Sequence, residues 1–137
     1  MNQYFDYDLL VIGAGSGGVR AARKSAEFGA KVGVVEEAAL GGTCVNVGCI
    51  PKKLYVYASE YAAAWRESAG FGWRAEDVCF DWNTLRDNKT NEIARLNAIY
   101  ARLLEAPGVD IIEGHGELAG PQEVFVRESR YRAEKIL

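Results

Sequence analysis

Two cysteines stand five positions apart in a glycine-rich segment that ends in proline and two lysines, GGTCVNVGCIPKK at residues 41–53. The sequence has three cysteines in 137 residues, so cysteine abundance does not explain this spacing. Cys44 and Cys49 could form a structural disulfide, supply half of a metal site, or alternate between a disulfide and a dithiol. The rest of the sequence has to decide among these three chemistries.

A bridge between Cys44 and Cys49 requires irregular backbone. In a regular helix their Cα atoms would lie about 8.6 Å apart, whereas a disulfide spans roughly 4.4–6.8 Å. A strained bridge is easily reduced, and we expect a helix N-terminus with Lys52 and Lys53 to lower the cysteine pKa. Distortion of the first helical turn costs little conformational energy here, because glycine and proline residues surround the pair. They are Gly41, Gly42, Gly48 and Pro51.

The two rival chemistries find less support. The N-terminus lacks the basic region and cleavage site of a secretory signal, so we expect a cytoplasmic protein, where structural disulfides are uncommon. A metal site needs about four ligands, and the other candidates, Cys79 and His115, lack suitable spacing; we expect no metal. Cys79, between Val78 and Phe80, is expected to be an ordinary core residue.

Charge and hydropathy exclude two classes of partner. The net charge of −3 provides no basic surface for nucleic acid. No apolar run approaches the roughly eighteen residues that a membrane span requires. We therefore expect neither nucleic acid nor membrane as a partner.

A glycine motif near the N-terminus predicts a nucleotide site. Gly13, Gly15 and Gly18 form G-x-G-x-x-G between a short apolar run and a helical segment, and Glu36 ends the next apolar run. In such a motif the glycines allow a tight turn, close approach of a pyrophosphate, and close packing of helix on strand. The carboxylate can accept hydrogen bonds from an adenosine ribose, which favours NAD or the ADP half of FAD over NADP. The alternative is a structural turn with a solvated glutamate.

The elements that would position these residues follow from apolar periodicity. A strand at 8–12, a helix at 18–29 and a strand at 31–36 predict a right-handed βαβ unit. Helices are predicted at 53–69 and within 80–108, the latter capped by Asp81 or Asn83 and ended by Pro107-Gly108. We further predict a single strand at 109–118 and a hairpin with its turn near Ser129.

The predicted fold class is α/β, a Rossmann-like βαβ domain that combines a parallel sheet with a β-hairpin. The chain stops on EKIL, which has the pattern of an incoming strand. Because a parallel sheet is not expected to end there, we expect the sequence to be C-terminally truncated.

GAGSGG, Glu36 and GGTCVNVGCIPKK together resemble the flavoprotein disulfide reductases, the class I pyridine nucleotide-disulfide oxidoreductases, over the whole chain. PKK, with Lys52 where dihydrolipoamide dehydrogenases usually carry serine, is similar to glutathione and trypanothione reductases. RLNAIYARLL looks like the glutathione reductase helix that supplies a substrate-contacting tyrosine, at Tyr100. Arg20 stands where trypanothione reductases tend to have tryptophan, and an arginine better suits the negative charge of glutathione disulfide.

The resemblance implies that NADPH reduces FAD and that FAD reduces the cysteine pair. Cys44 would then be the thiol that attacks glutathione disulfide, Cys49 the charge-transfer thiolate beside the flavin, and Lys52 a cation near the flavin. The positions matching FAD contacts are Gly13, Gly15, Ser16, Gly18, Glu36, Thr43, Cys44, Lys52 and the backbone at His115 and Gly116. Those matching substrate contacts are Ser16, Arg20, Arg23 and Tyr100.

These assignments have plain alternatives. Arg20 and Arg23 could be solvated helix charges, and Tyr100 could be a core aromatic. His115 is expected to contribute its backbone only, because the family's acid–base histidine belongs to a C-terminal domain. Glu92 stands where some glutathione reductases carry a second tyrosine, which leaves that part of the substrate site open.

Residues 1–137 would thus be a partial FAD-binding domain without the NADPH, central and dimerisation domains. Alone, it is expected to be inactive and to bind FAD weakly or not at all, whereas the full-length family forms homodimers. Two alternatives remain: a related reductase acting on trypanothione, mercury or dihydrolipoamide, and an independent dinucleotide-binding redox module.

Overall fold

The computed structural model describes residues 5–74 and 77–137. It begins with the predicted βαβ unit: β1 (Tyr7–Ile12), α1 (Ser16–Glu27) and β2 (Val32–Glu36). The strands pair in parallel, with Leu9 opposite Val32. The helix ends where predicted, since Gly29 has φ +94° and its N–H donates to the carbonyl of Ala26.

Three helices follow β2 in the sequence, before the next strand. They are α2 (Gly42–Asn46), α3 (Cys49–Ser68), which continues into a short 3-10 turn, and α4 (Trp82–Glu105). Of the two predicted caps for α4, Asp81 is the one used, because its carboxylate accepts the backbone N–H groups of Asn83 and Thr84. The helix predicted at 53–69 is present as α3 but begins earlier, at Cys49, and the short helix α2 before it was not predicted.

The segment after α4 consists of four strands: β3 (Asp110–Glu113), β4 (Gly116–Gly120), β5 (Glu123–Val126) and β6 (Ser129–Ile136). The single strand predicted at 109–118 is therefore wrong. Its first half pairs in parallel with β2 and its second half pairs antiparallel with β5. Gly114, with φ +145°, makes the change of direction that a continuous strand would not allow.

The six strands are ordered β3-β2-β1-β6-β5-β4. β1 pairs in parallel with both β2 and β6, and β5 with β6 forms the predicted hairpin, whose turn contains Arg127 at φ 54°. The α/β prediction of a parallel sheet with an added hairpin is confirmed. The turn that follows β1 lies at the carboxyl end of this strand, and β1 has parallel neighbours on both sides. Open α/β sheets bind ligands at such a place.

Apolar residues form two clusters. Val34 and Val35 alternate along β2 and belong to different clusters, as neighbours in a strand should. The first cluster is covered by α1 and α4, whose Leu104 is fully buried; truncation of such a leucine to alanine costs about 2–5 kcal/mol. Helix α4 is therefore anchored to the sheet, and it can fix other segments in turn.

Within the described ranges, no helix has the length and apolar character needed to cross a membrane. The same residues contain no group of three or more His, Cys, Asp or Glu that could hold a metal ion.

Candidate functional site

The glycine turn between β1 and α1 has the geometry that the motif predicts. Gly13 has φ +99°, which an L side chain rarely adopts. A Cβ on Gly18 would lie 1.9 Å from the carbonyl oxygen of Gly13, so helix and turn touch backbone to backbone. A Cβ on Gly15 would meet no atom within 4 Å. The first glycine is thus required by its backbone conformation and the third by packing, whereas the second faces open space.

The N-terminus of α1 is suited to an anion. Gly15 occupies the N-cap position without a side-chain hydrogen bond, and the first turn, from Ser16 onward, contains no acidic residue. Unpaired N–H groups and the positive end of the helix dipole favour a phosphate at such a place.

Glu36 is held at the end of β2 by two backbone groups. The N–H of Ala14, inside the glycine turn, donates to Oε2 at 2.7 Å, and the N–H of Ala38 donates to Oε1 at 2.9 Å. Each carboxylate oxygen can accept a further hydrogen bond. The side chain is thus fixed beside the glycine turn and retains acceptor capacity for a ligand.

Most predicted cofactor residues line three cavities that share walls. A pocket of about 120 Å³ includes Gly13, Glu36, His115 and Gly116. A second, of about 340 Å³, also has Glu36 in its wall and reaches Thr43 and Val47. A third, of about 440 Å³, shares Val47 and adds Lys52 with other α3 residues. The shared residues make the three cavities neighbours, in a row from the glycine turn to the start of α3.

His115 makes a contact that the sequence did not reveal. Its Nδ1 lies 2.7 Å from Oε2 of Glu37, and both side chains are exposed. Gly116, next to it, packs tightly, because a Cβ there would lie 3.2 Å from Ile12 and Val35. The loop between β3 and β4 is thereby held against the end of β2.

The cysteine segment is tied to the glycine turn through its backbone, since the N–H of Gly41 donates to the carbonyl of Ala14 at 2.9 Å. Helix α2 ends at Asn46 and α3 begins at Cys49, so the irregular backbone expected between the cysteines is present. A Cβ on Gly48 would lie 2.9 Å from the carbonyl oxygen of Thr43 and 3.4 Å from Cα of Cys44. Only glycine allows the two helices to meet this closely.

Cys44 and Cys49 are free thiols in hydrogen-bonding contact, Cys44 half-buried and Cys49 exposed. The hydrogen bond with the Cys49 side chain, followed by burial, raises the pKa of Cys44 above its ordinary value. The expectation of a lowered pKa is thus wrong for Cys44 in the dithiol. The Cys49 N–H, at the start of α3, and the charge of Lys52 do act to lower this pKa, but they are outweighed.

A polar network behind the cysteines was missed by the sequence analysis. The side-chain amide of Asn46 donates to the backbone carbonyl of Gly42 at 2.9 Å, and Asn97 on α4 donates to the Asn46 side chain at 2.9 Å. A signal existed in the sequence. Asn97 falls between Ile93 and Tyr100, inside the apolar stripe of α4, where a polar residue needs a partner.

The predicted substrate residues come from two helices that pack on each other. Ser16, Arg20 and Arg23 share one face of α1, with Ser16 and Arg20 exposed and Arg23 half-buried. Tyr100, on α4, is partly buried and packs against the first apolar cluster. Arg23 pairs with Glu27 at 3.4 Å, so Arg20 is the arginine of this face that is displayed most openly.

The structure also describes the surroundings of Glu92 and Cys79. Glu92 stands where some glutathione reductases carry a second tyrosine. In this chain it forms an ion pair with Arg95 at 2.7 Å on the surface of α4. The prediction of a buried Cys79 is wrong, because Cys79 is exposed, as are Val78 and Phe80. The segment before α4 lies away from both apolar clusters, so its hydrophobic neighbours do not bury it.

A βαβ glycine turn with a fixed glutamate, next to a segment with two neighbouring cysteines, is typical of nucleotide-dependent disulfide oxidoreductases. Residues 7–137 match the pyridine nucleotide-disulphide oxidoreductase family, and the chain belongs to that family. The resemblance inferred from the motifs is therefore confirmed.

Particular relatives can be named. Glutathione reductase of Burkholderia cepacia is 50% identical over 135 residues, which are 98% of this chain and 30% of the relative. Glutathione reductase of Nostoc sp. is 43% identical over 133 residues, covering 97% of this chain and 29% of the relative. The chloroplastic/mitochondrial glutathione reductase of Pisum sativum is 44% identical over 144 residues, covering 97% and 26%. The chain thus spans less than a third of these relatives.

Proposed function

We propose that residues 1–137 form the N-terminal, FAD-binding and redox-active part of an NADPH-dependent reductase of glutathione disulfide. The observation that carries the proposal is the row of neighbouring cavities from the Glu36 pocket to the cavity at Lys52, whose walls include Thr43 and Pro51 from the segment that contains both thiols. The similarity to glutathione reductases supports the choice of substrate. Cell redox homeostasis, a cytoplasmic location and a homodimer are parts of the same proposal.

The residues present fit the ADP half of FAD. The open space at Gly15, at an uncapped helix N-terminus, would accommodate the pyrophosphate, and the fixed carboxylate of Glu36 would accept hydrogen bonds from the ribose. Thr43 and Lys52 would contact the rest of the cofactor, and the backbone at His115 and Gly116 would line its adenine end. When bound, FAD supplies the two-electron chemistry by which a reduced nicotinamide restores the dithiol.

The cysteine pair would reduce the substrate in two exchanges. The thiolate of Cys44 attacks one sulfur of glutathione disulfide, a Cys44–glutathione bond forms, and the first glutathione leaves as a thiolate. The thiolate of Cys49 then attacks the Cys44 sulfur, the Cys44–Cys49 bond forms, and the second glutathione leaves. Two electrons pass from the dithiol to the substrate, and the two thiol protons end on the released glutathiones.

Substrate recognition would use the face shared by Ser16, Arg20 and Arg23. Glutathione disulfide carries carboxylates, and guanidinium groups bind carboxylates through paired N–H donors. Tyr100 would offer an aromatic surface and a hydroxyl from α4. The NADPH, central and dimerisation domains would lie in the part of the protein beyond this chain, and residues 1–137 alone would not turn over.

The test of the activity uses the full-length protein. NADPH oxidation is measured with glutathione disulfide, trypanothione disulfide, mercuric ion and lipoamide, for the wild type and for Cys44→Ser and Cys49→Ser. We expect the highest kcat/KM with glutathione disulfide and loss of turnover in both variants. A preference for another acceptor would assign a related reductase, and turnover retained in Cys44→Ser would reject the redox role of the pair.

The cofactor assignment has its own test. Glu36→Gln is expected to weaken FAD binding to the full-length protein about tenfold, the effect of losing a charged hydrogen bond. Glu105→Gln is the control, since Glu105 is an exposed glutamate at the end of α4 and lines none of the three cavities. Equal affinities for the two variants would remove Glu36 from the cofactor site.

A further inference from the structure

Helix α2 cannot fix the position of Cys44 by itself. It has five residues, Gly42–Asn46, and no side chain caps its N-terminus. Isolated helices of this length are unstable because the cost of nucleation is not recovered. Contacts from outside the helix must therefore hold Cys44 against Cys49.

One internal anchor is the last residue of α2. The side-chain amide of Asn46 donates to the carbonyls of Ala39 and Leu40 at 3.2 Å and to that of Gly42 at 2.9 Å. These bonds link the end of α2 to the loop that precedes it. They stabilise the segment 39–46 internally, but they do not join it to another helix or strand.

Asn97 supplies an external anchor from α4, in addition to the backbone hydrogen bond between Gly41 and Ala14. Its side-chain Nδ2 donates to the carbonyl of Leu40 at 2.7 Å and to Oδ1 of Asn46 at 2.9 Å, across 57 and 51 positions of sequence. Both amide hydrogens are thereby used on partly buried partners. Because α4 is fixed to the sheet by Leu104, these two bonds transmit the position of the sheet to the cysteine segment.

We propose that Asn97 is a positioning residue for the redox cysteines: its amide, acting on Leu40 and Asn46, holds Cys44 where its sulfur meets that of Cys49. The inference rests on the proposed function, in which the pair cycles between dithiol and disulfide. Loss of the two hydrogen bonds lets α2 move, which lowers the effective concentration of one thiol at the other and disfavours the bridge.

The redox equilibrium of the pair with glutathione reports this effect. Two S–H bonds of the protein and the S–S bond of glutathione disulfide break, the Cys44–Cys49 bond forms, and two glutathione thiols carry away the protons and two electrons. The fraction oxidised is measured in the full-length protein by alkylation and mass spectrometry. Trypsin places both cysteines in one peptide, residues 32–52, and Cys79 in another.

We expect Asn97→Ala to lower the equilibrium constant for bridge formation about tenfold, which for this two-electron couple is about 30 mV. Asn97→Asp should act similarly, because an isosteric carboxylate cannot donate to the two acceptors. Asn46→Ala should also lower the constant, and the double variant should fall short of the product of the single effects, since the two residues act through one network.

The matched control is Asn88→Ala, which removes an exposed asparagine from the same helix. Thermal unfolding is followed for each variant. Asn97→Ser keeps one hydrogen-bond donor, its hydroxyl, and is expected to lower the equilibrium constant for bridge formation less than Asn97→Ala does. The positioning role would be overturned if the equilibrium constant for bridge formation in Asn97→Asp and Asn97→Ser equalled that of the wild type and Asn88→Ala. A rise in the constant would overturn it as well. A wild-type protein in which the bridge never forms would instead reject the redox function itself.

Discussion

Gly42 lies so close to Gly15 that a Cβ added to Gly42 would stand 2.8 Å from the Cα atom of Gly15. The turn that is suited to a pyrophosphate and the helix that contains Cys44 therefore touch through bare backbone. Since no side chain can intervene, a ligand on the glycine turn and the cysteine pair are held in one fixed relationship. This contact links the two motifs that the sequence shows separately.

The first prediction concerns this contact. Gly29 and Gly42 both have positive φ, but a Cβ on Gly29 would meet no atom within 4 Å. We expect Gly29→Ala to cost about 1–2 kcal/mol from backbone strain alone. Gly42→Ala should cost a further 1–3 kcal/mol, by approximate analogy with overpacked cores. Urea unfolding measures both, and equal losses would show that the contact with Gly15 is not rigid.

A second prediction separates the glycines of the turn. Gly18→Ala places its Cβ against the carbonyl of Gly13 and should destabilise the fold by about 3 kcal/mol. Gly15→Ala should change the unfolding free energy by less than about 1 kcal/mol, since φ is −72° and the space is open, yet weaken FAD binding. Unfolding and flavin titration of both variants provide the check; a Gly15→Ala protein that binds FAD normally would contradict the phosphate assignment.

The third prediction follows from the pKa of Cys44. Because the hydrogen bond with the Cys49 side chain is the main cause that raises this pKa, Cys49→Ala should lower it and increase the thiolate fraction at pH 8. Alkylation of Cys44 by iodoacetamide, followed from pH 6 to 11, should therefore reach its half-maximal rate at a lower pH in the variant.

Lys52→Gln is the control, because it should shift the pKa of Cys44 in the opposite direction. The charge of Lys52 lowers the pKa of Cys44, so its removal should move the alkylation profile to higher pH. Shifts in the same direction for Cys49→Ala and Lys52→Gln would show that the thiol contact is not what governs the titration.

The fourth prediction is a pH dependence of stability at the start of α4. The hydroxyl of Thr84 and the N–H groups of Asn83 and Thr84 lower the pKa of Asp81 in the folded chain. A carboxylate with a depressed folded pKa stabilises the fold above its unfolded pKa of about 3.9, and the contribution is lost as the pH falls through the folded value.

Asp81→Asn removes this titration, so the difference in thermal midpoint between wild type and variant should be constant at neutral pH and shrink below pH 4. Asp87→Asn, on the exposed face of the same helix, is the control. Parallel curves for wild type and Asp81→Asn down to pH 2 would rule out the cap as an acid-sensitive element.

Much of the fold was predictable because its signals are local. The apolar run before Gly13, the helical segment at 18–29 with its stop at Gly29, and the apolar run at 31–36 specify a βαβ unit within thirty residues of sequence. Asp81 begins α4 through hydrogen bonds to its own next turn. The strand at 109–118 was predicted wrongly because its apolar pattern is continuous, while the division at Gly114 depends on which partner strand each half meets.

By itself, the sequence determined the βαβ unit and located the glycine motif, Glu36 and the closely spaced cysteines, because each rests on backbone preferences or spacing within a short stretch. Only the tertiary structure decided that Gly42 meets Gly15, that Asn97 holds Asn46, and that Cys79 faces solvent. These relationships join or separate residues distant in sequence, and packing of α4 and the sheet, not local propensity, sets their distances.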